Sequence, residues 1–356
     1  MKVLSLIDPF IAIPVFGLFG ISLFILGSTT PSLLPAQVFF FGVGLLVYIL
    51  CFLAKITIFS RFIKALWIGG LLLLVIVLLT PPIRGSNRWF SLGQFQLQPA
   101  EVLKPFFILI LSHLLSSLQS ITAKDIVKVS LWVLPWIFLI FRQPDLGNVI
   151  VYFVVFLTLF FVSGLKTIHL VVGGFLSVVV VPLIWVALRE YQKLRLITFL
   201  NPFHDPSGAG YNAIQAMITI GSGQLYGLGL GRGTQSRLLF LPEYHTDFVF
   251  ASLGEEMGFV GAVIVMLLYG ILLVRILTIA KSVPTTYEKY FAVGVFMIIF
   301  IQMSVNIGMN VGVVPITGIT LPLLSYGGSS IISTLASLGF VAASAANTTR
   351  RPLVIR

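Results

Sequence analysis

Residues 9–54 read PFIAIPVFGLFGISLFILGSTTPSLLPAQVFFFGVGLLVYILCFLA and contain no Asp, Glu, Lys or Arg. Two apolar runs, 9–27 and 36–54, flank the short STTPSLLP break. Each run has the length of about 20 residues that a helix needs to cross roughly 30 Å of hydrocarbon. The first run follows Lys2 and Asp8 and ends without a small-x-small cleavage site, so it reads as a retained helix rather than a signal peptide. The rest of the chain repeats this pattern. Hydrophobic residues make up 58% and charged residues 9% of the chain, with a mean hydropathy of +1.08. Soluble domains average about 45–50% apolar and about 25% charged. Further runs lie at 65–81, 101–119, 129–142, 147–165, 168–188, 248–274, 290–310 and 326–346. The expectation is an all-α polytopic integral membrane protein with about ten transmembrane helices. It forms one domain, 1–356, with a large extracytoplasmic loop at 189–247 between helices seven and eight.

The net charge of +11 does not point to nucleic acid, because the cations are scattered between apolar runs instead of being gathered on one stretch. They set topology instead. With a cytoplasmic N-terminus, the inward segments hold Lys2, Lys55, Arg61, Lys64, Lys124, Lys128, Lys166, Arg275, Lys281, Lys289, Arg350, Arg351 and Arg356. Outward segments hold Arg84, Arg88, Lys104 and Arg142, while Arg189, Lys193, Arg195, Arg232 and Arg237 lie in the long loop, which weighs little in orientation. Both termini then lie inside. The polar motifs at 85–99, 143–147, 189–247 and 311–330 all face outward. Cys51 is the single cysteine, so neither a disulfide framework nor a cysteine metal cluster is available within one chain. Pro14, Pro135 and Pro182 fall inside predicted spans, where kinks are expected. No internal repeat of broken helices marks the chain as a secondary transporter.

Residues 201–261 gather acidic and histidine groups beside the membrane: His204, Asp205, Glu243, His245, Asp247, Glu255 and Glu256. Asp247 closes LPEYHTDFVF where loop gives way to helix, so Thr246 or Asp247 could cap that helix, and capping is compatible with catalysis. Glu243, His245 and Arg237 surround it in sequence. Glu255 and Glu256 point about 100° apart on a helix, which suits partners for loop cations such as Arg195 better than a shared-proton dyad. Glycines 227, 229, 231 and 233 could form a phosphate cradle or a flexible lid. Glu101 and Lys104, three residues apart, share a helix face: Lys104 either serves as a cation for a phosphate group or only pairs with Glu101. Trp89 reads as an interfacial anchor or a surface for sugar. His113 and His169 read as packing or interface residues.

Several blocks in order resemble the RodA/FtsW family, also called SEDS proteins: NRWFSLGQFQLQPAEVLK (87–104), QPDLG (143–147), NPFHDPSGAGYNAIQ (201–215), GSG (221–223), LPEYHTDFVF (241–250), GEEMGFVG (254–261) and LPLLSYGGSS (321–330). The short chain and GTQS (233–236) resemble the RodA branch. Ala100 departs from the serine common at that position. The resemblance implies a ten-helix peptidoglycan glycosyltransferase of the bacterial cytoplasmic membrane. Such enzymes polymerise lipid II during wall elongation beside a class B penicillin-binding protein and other membrane proteins of the elongation complex. It also implies that Asp247 is catalytic. Arg88, Lys104 and Arg195 would bind the diphosphate, with Trp89, Glu101, Glu243 and His245 completing the substrate-facing set. A divalent cation, Mg or Mn, is admitted as a supplement on the phosphates. Rival readings are a lipid II flippase and a non-catalytic scaffold of the wall-building complex.

Overall fold

The computed structural model describes residues 8–348 except 83, 84, 94, 167, 170, 172, 173, 175–177, 179–181, 184, 207, 209 and 239. Lys2, Arg84, Arg350, Arg351 and Arg356, and much of the seventh apolar run, lie outside the described residues.

The long helices are α1 (Pro9–Thr29), α2 (Leu34–Leu53), α3 (Ile63–Leu78), α4 (Lys104–Ser116), α5 (Ala123–Arg142) and α6 (Leu146–Val162). In the large loop lie α7 (Glu190–Leu200) and α8 (Tyr211–Ser222), followed by α9 (Val249–Ser282), α10 (Thr286–Asn310) and α11 (Gly328–Thr348). Among the described residues six spans are long and apolar enough to cross a membrane, and α4 and α6 are shorter apolar helices. Nine of the ten expected runs thus have a helix among the described residues. The protein is a multi-pass membrane protein.

Several boundaries differ from the expectation for physical reasons. Helix α5 starts six residues before the apolar run because Thr122 and Asp125 form a reciprocal capping box. Helices α9 and α10 extend through Arg275, Lys281 and Lys289, so these cations sit on helices rather than in a loop. Pro14 and Pro135 lie within uninterrupted α1 and α5. A two-stranded antiparallel hairpin, β1 (Phe90–Leu92) and β2 (Phe95–Leu97), adds strand to an otherwise helical chain.

Helix α11 is the axis of the bundle: 83% of its apolar window is buried, though its sequence is rich in Ser, Ala and Gly. Small residues let helices approach closely where lipid removes the usual hydrophobic drive. At Gly339 an added Cβ would stand 2.5 Å from the Tyr48 carbonyl of α2. The outer faces carry exposed Phe16, Phe24, Leu46, Leu53 and Leu72, as expected where hydrocarbon is the solvent. At one end of the bundle the segments around 85–99, 143–147, 189–248 and 311–327 meet. Gln98 N–H donates to Ser329 Oγ at 2.9 Å and Tyr326 N–H to the His245 carbonyl at 2.8 Å.

Candidate active site

At this loop-rich end, helix α9 begins at Val249 with Phe248 in the cap position and no side-chain cap bond. The expected capping role of Thr246 or Asp247 therefore falls away: Thr246 Oγ1 donates to Glu243 Oε2 at 3.0 Å instead. Asp247 lies just outside the helix. Its backbone carbonyl accepts from Asn306 Nδ2 at 2.9 Å and from Asn310 Nδ2 at 3.1 Å, both reaching across from α10. A Cβ added at Gly318 would stand 3.3 Å from Asp247 Oδ2, so the 311–327 segment passes close to the carboxylate. Burial, then the neighbouring Glu243 charge, raise the Asp247 carboxyl to about 6, against the opposing pull of Arg195 and Arg88. Asp145 adds a smaller upward push.

Arg88 reaches this field from the hairpin side. Its guanidinium donates to the Gln143 carbonyl at 3.2 Å and the Pro144 carbonyl at 2.6 Å, stands 3.9 Å from Asp145 Oδ1, and lies 5.7 Å from the Trp89 ring centre. Asp145 caps α6 through Asn148 N–H at 3.1 Å and accepts from Gln98 Nε2 at 2.6 Å. The motifs at 87–104 and 143–147 are therefore one structural unit. Beneath it, Lys104 and Glu101 pair at 2.5 Å, both buried, and Tyr152 Oη donates to the Ala100 carbonyl at 2.8 Å. Both the pairing and the burial expected for Lys104 are seen.

Arg195, on α7, donates to the Ile316 carbonyl at 3.4 Å and lines a small open cleft with Thr198, Phe199, Met217 and Pro315. The His245 ring stacks edge-on against Tyr244 and Tyr326. Glu243 has a left-handed backbone, φ 52°. The structure thus brings Asp247, Glu243, Arg88, Arg195 and Asp145 into one electrostatic neighbourhood and leaves Lys104–Glu101 deeper in the bundle.

Other expectations are corrected. Glu255 accepts from the backbone N–H groups of Gln235 at 2.8 Å and Ser236 at 3.2 Å, while Glu256 accepts from Ser28 Oγ at 2.6 Å and Gly231 N–H at 3.2 Å. These carboxylates tie the large loop and α1 to α9 through neutral donors, and the loop cation that lies in the field of Glu256 is Arg237, not Arg195. The N–H groups of Gly227, Leu228 and Gly229 bond to the carbonyls of Gly223, Glu255 and Glu256, so the glycine run is neither a phosphate cradle nor a loose lid. His113 packs edge-on with Tyr287, as expected for a packing residue. Among the described residues no group of three His, Cys, Asp or Glu side chains could hold a metal ion.

A family model described as cell cycle protein, covering FtsW, RodA and SpoVE, matches residues 8–350. The chain belongs to this family. Peptidoglycan glycosyltransferase MrdB of Escherichia coli (strain K12) is 41% identical over 262 residues, 72% of this chain and 70% of that protein. Stage V sporulation protein E of Bacillus subtilis (strain 168) is 36% identical over 320 residues, 85% of this chain and 84% of that one. A chain from "Structural coordination of polymerization and crosslinking by a peptidoglycan synthase complex" superposes with a TM-score of 0.84 at 34% identity, covering 97% of this chain and 99% of that one. The rod shape determining protein RodA of Thermus thermophilus superposes with a TM-score of 0.73 at 32% identity, covering 97% and 98%. The FtsW/RodA/SpoVE resemblance carried by the sequence blocks is thereby established.

Sequence reasoning picked out Asp247 and Arg88 but passed over three supports of the site: Asn306, Asn310 and Asp145. Both asparagines are fully buried in an apolar helix. A polar amide kept at such cost was the available signal.

Proposed function

We propose that Asp247 is the general base with which this peptidoglycan glycosyltransferase polymerises lipid II. The observation that carries the proposal is a partly buried carboxylate with a pKa raised to about 6, facing Arg88 and Arg195 at the loop-rich end. A base is most effective when its pKa lies near the working pH.

The acceptor sugar's hydroxyl gives its proton to Asp247 as its oxygen bonds to the donor's anomeric carbon. The bond from that carbon to the diphosphate oxygen breaks, and the leaving diphosphate takes the electron pair. Attack opposite an α-linked leaving group yields the β-linked product in one inversion. Arg88 and Arg195 stabilise charge developing on the diphosphate, where preorganised cations act most strongly. The carbonyls of Gln143 and Pro144 hold the Arg88 guanidinium in place. Trp89, Glu243 and His245 complete the substrate-facing wall, and Lys104, paired with Glu101, backs it from within the bundle. A divalent cation would bind chiefly through the substrate phosphates, with few protein ligands, and no step above depends on it.

The cation distribution supports a cytoplasmic membrane protein with both termini inside and the site on the extracytoplasmic face. The likeness to a chain of a peptidoglycan synthase complex supports a class B penicillin-binding protein as partner and wall elongation as the setting. The test is polymerisation of purified lipid II by wild type and Asp247→Asn, with glycan length resolved on a gel. Loss of about 10²–10⁴-fold in turnover by a folded variant is expected for removal of a positioned base. Equal polymer from both proteins overturns the assignment.

A further inference from the structure

Asn310 occupies a place that a helix would otherwise fill with its own backbone. In a regular helix the N–H of Ala251 would bond the carbonyl of Asp247, four residues earlier. Here the Asn310 carboxamide stands between those two groups. Its Oδ1 accepts from Ala251 N–H at 3.1 Å, and its Nδ2 donates to the Asp247 carbonyl at 3.1 Å. Ala251 N–H also reaches the Phe248 carbonyl at 3.0 Å, a tight first turn. One turn earlier on α10, Asn306 Nδ2 donates to the same Asp247 carbonyl at 2.9 Å and to the Ile319 carbonyl at 2.7 Å. Asn310 Nδ2 is in turn tied to the Asn306 carbonyl at 2.8 Å. Both side chains are fully buried, so each amide donor given up here would be left without water to replace it.

We infer that Asn306 and Asn310 are positioning residues: they interrupt α9 at its first turn and hold Asp247 out of the helix, with its carboxylate against the Gly318 segment. A primary amide suits this task because it both donates and accepts, which lets it stand in for a peptide unit. Leucine keeps the volume and the helix but supplies neither function. Without the Asn310 amide, α9 can wind back by one residue pair, closing the Asp247-to-Ala251 bond and turning the carboxylate away. The inference rests on the reading of Asp247 as the base.

The groups facing Asp247 are Glu243 on its own turn, Arg195 from α7, Arg88 from the hairpin segment and Asp145 from the start of α6. A carboxylate displaced from this setting loses part of its burial, so its titration moves toward the ordinary carboxylate range.

The experiment compares wild type, Asp247→Asn, Asn310→Leu, Asn306→Leu and Asn310→Gln as full-length purified proteins turning over lipid II between pH 5 and pH 9. Thermal unfolding is recorded for each. For Asn310→Leu and Asn306→Leu the expectation is a fall in kcat of about 10–100-fold with KM for lipid II within about twofold, the pattern of an interaction made only in the transition state. The midpoint of the acidic limb should move down from near 6. Asn310→Gln, which keeps both amide functions on a longer arm, should recover part of kcat. Wild-type kcat in both leucine variants overturns the inference. So does a loss that is uniform at all pH values and matches the folded fraction, because that is the mark of a purely structural role. Wild-type turnover by Asp247→Asn overturns the base assignment instead, which separates the two failures. Should Asn310→Leu fail to fold, Asn306→Leu and the partial recovery by Asn310→Gln still decide the matter.

Discussion

Asp247 is held near 6 because burial and the Glu243 charge disfavour its ionised form more than Arg195 and Arg88 favour it. Two pH dependences follow, with opposite senses. Turnover should rise as pH increases through about 6, because a base must be deprotonated to accept a proton. Asp247→Asn removes that limb, which a pH–rate profile checks. Stability runs the other way. The folded protein binds this proton more tightly than an unfolded chain, whose aspartate titrates near 3.8, so wild type loses stability as pH rises from about 4 through about 6. Asp247→Asn should therefore match wild type in thermal stability at pH 4 and exceed it at pH 8. No such gap at pH 8 would mean that the carboxylate is not strained by its setting. The aspartate itself was legible as an acid at a loop-to-helix junction. That it does not cap the helix was illegible, because the amides that interrupt the helix start come from α10, about sixty residues away.

Helix α9 shows the same limit at the scale of an element. Its apolar run predicted a continuous span, yet Gly258 breaks it with φ 63° and ψ −161°. The orphaned backbone groups are taken by the large loop: Phe259 N–H bonds the Gln224 carbonyl at 2.9 Å and Leu228 N–H bonds the Glu255 carbonyl at 2.9 Å. Only glycine occupies that backbone region at ease, and an added Cβ would meet the Leu225 carbonyl carbon at 2.7 Å. Gly258→Ala should cost about 1–3 kcal/mol or more, read as a fall of several degrees in thermal unfolding and faster hydrogen exchange at 224–229. Unchanged unfolding would show that the loop adapts freely. At the start of α4 the buried pair of Lys104 and Glu101, the latter in the short helix Pro99–Val102, gives a second separation of folding from chemistry. Lys104→Met leaves Glu101 buried without its partner, a loss of about 3–5 kcal/mol, and adding Glu101→Gln should restore much of it. Polymerisation should stay depressed in the double variant. Recovery of turnover along with stability would confine Lys104 to holding the helix.

Across the whole molecule, α1 works as a ruler. Its first turn is tied to α9 by Asp8 and Arg275 at 2.6 Å, and its last turn by Ser28 and Glu256 at 2.6 Å. Its 21 residues rise about 31 Å, close to the hydrocarbon thickness of roughly 30 Å. A slab of that thickness fits between the Asp8–Arg275 level and the Ser28–Glu256 level, and Asp247, nine residues before Glu256, stands on the Ser28–Glu256 side. Hydropathy made the spans legible because each is a local run; the site's assembly was legible only as co-located motifs, since its bonds join segments far apart in the chain. Orientation rests on the cations alone, so it needs its own measurement. With Cys51 replaced by alanine, Glu190→Cys on α7, where the native side chain is 85% exposed, should react with a membrane-impermeant maleimide on intact cells. Ser282→Cys, at the Arg275 end of α9, should react only after permeabilisation. The reverse pattern would place Asp247 and its arginines on the cytoplasmic side and overturn the orientation inferred from the cations.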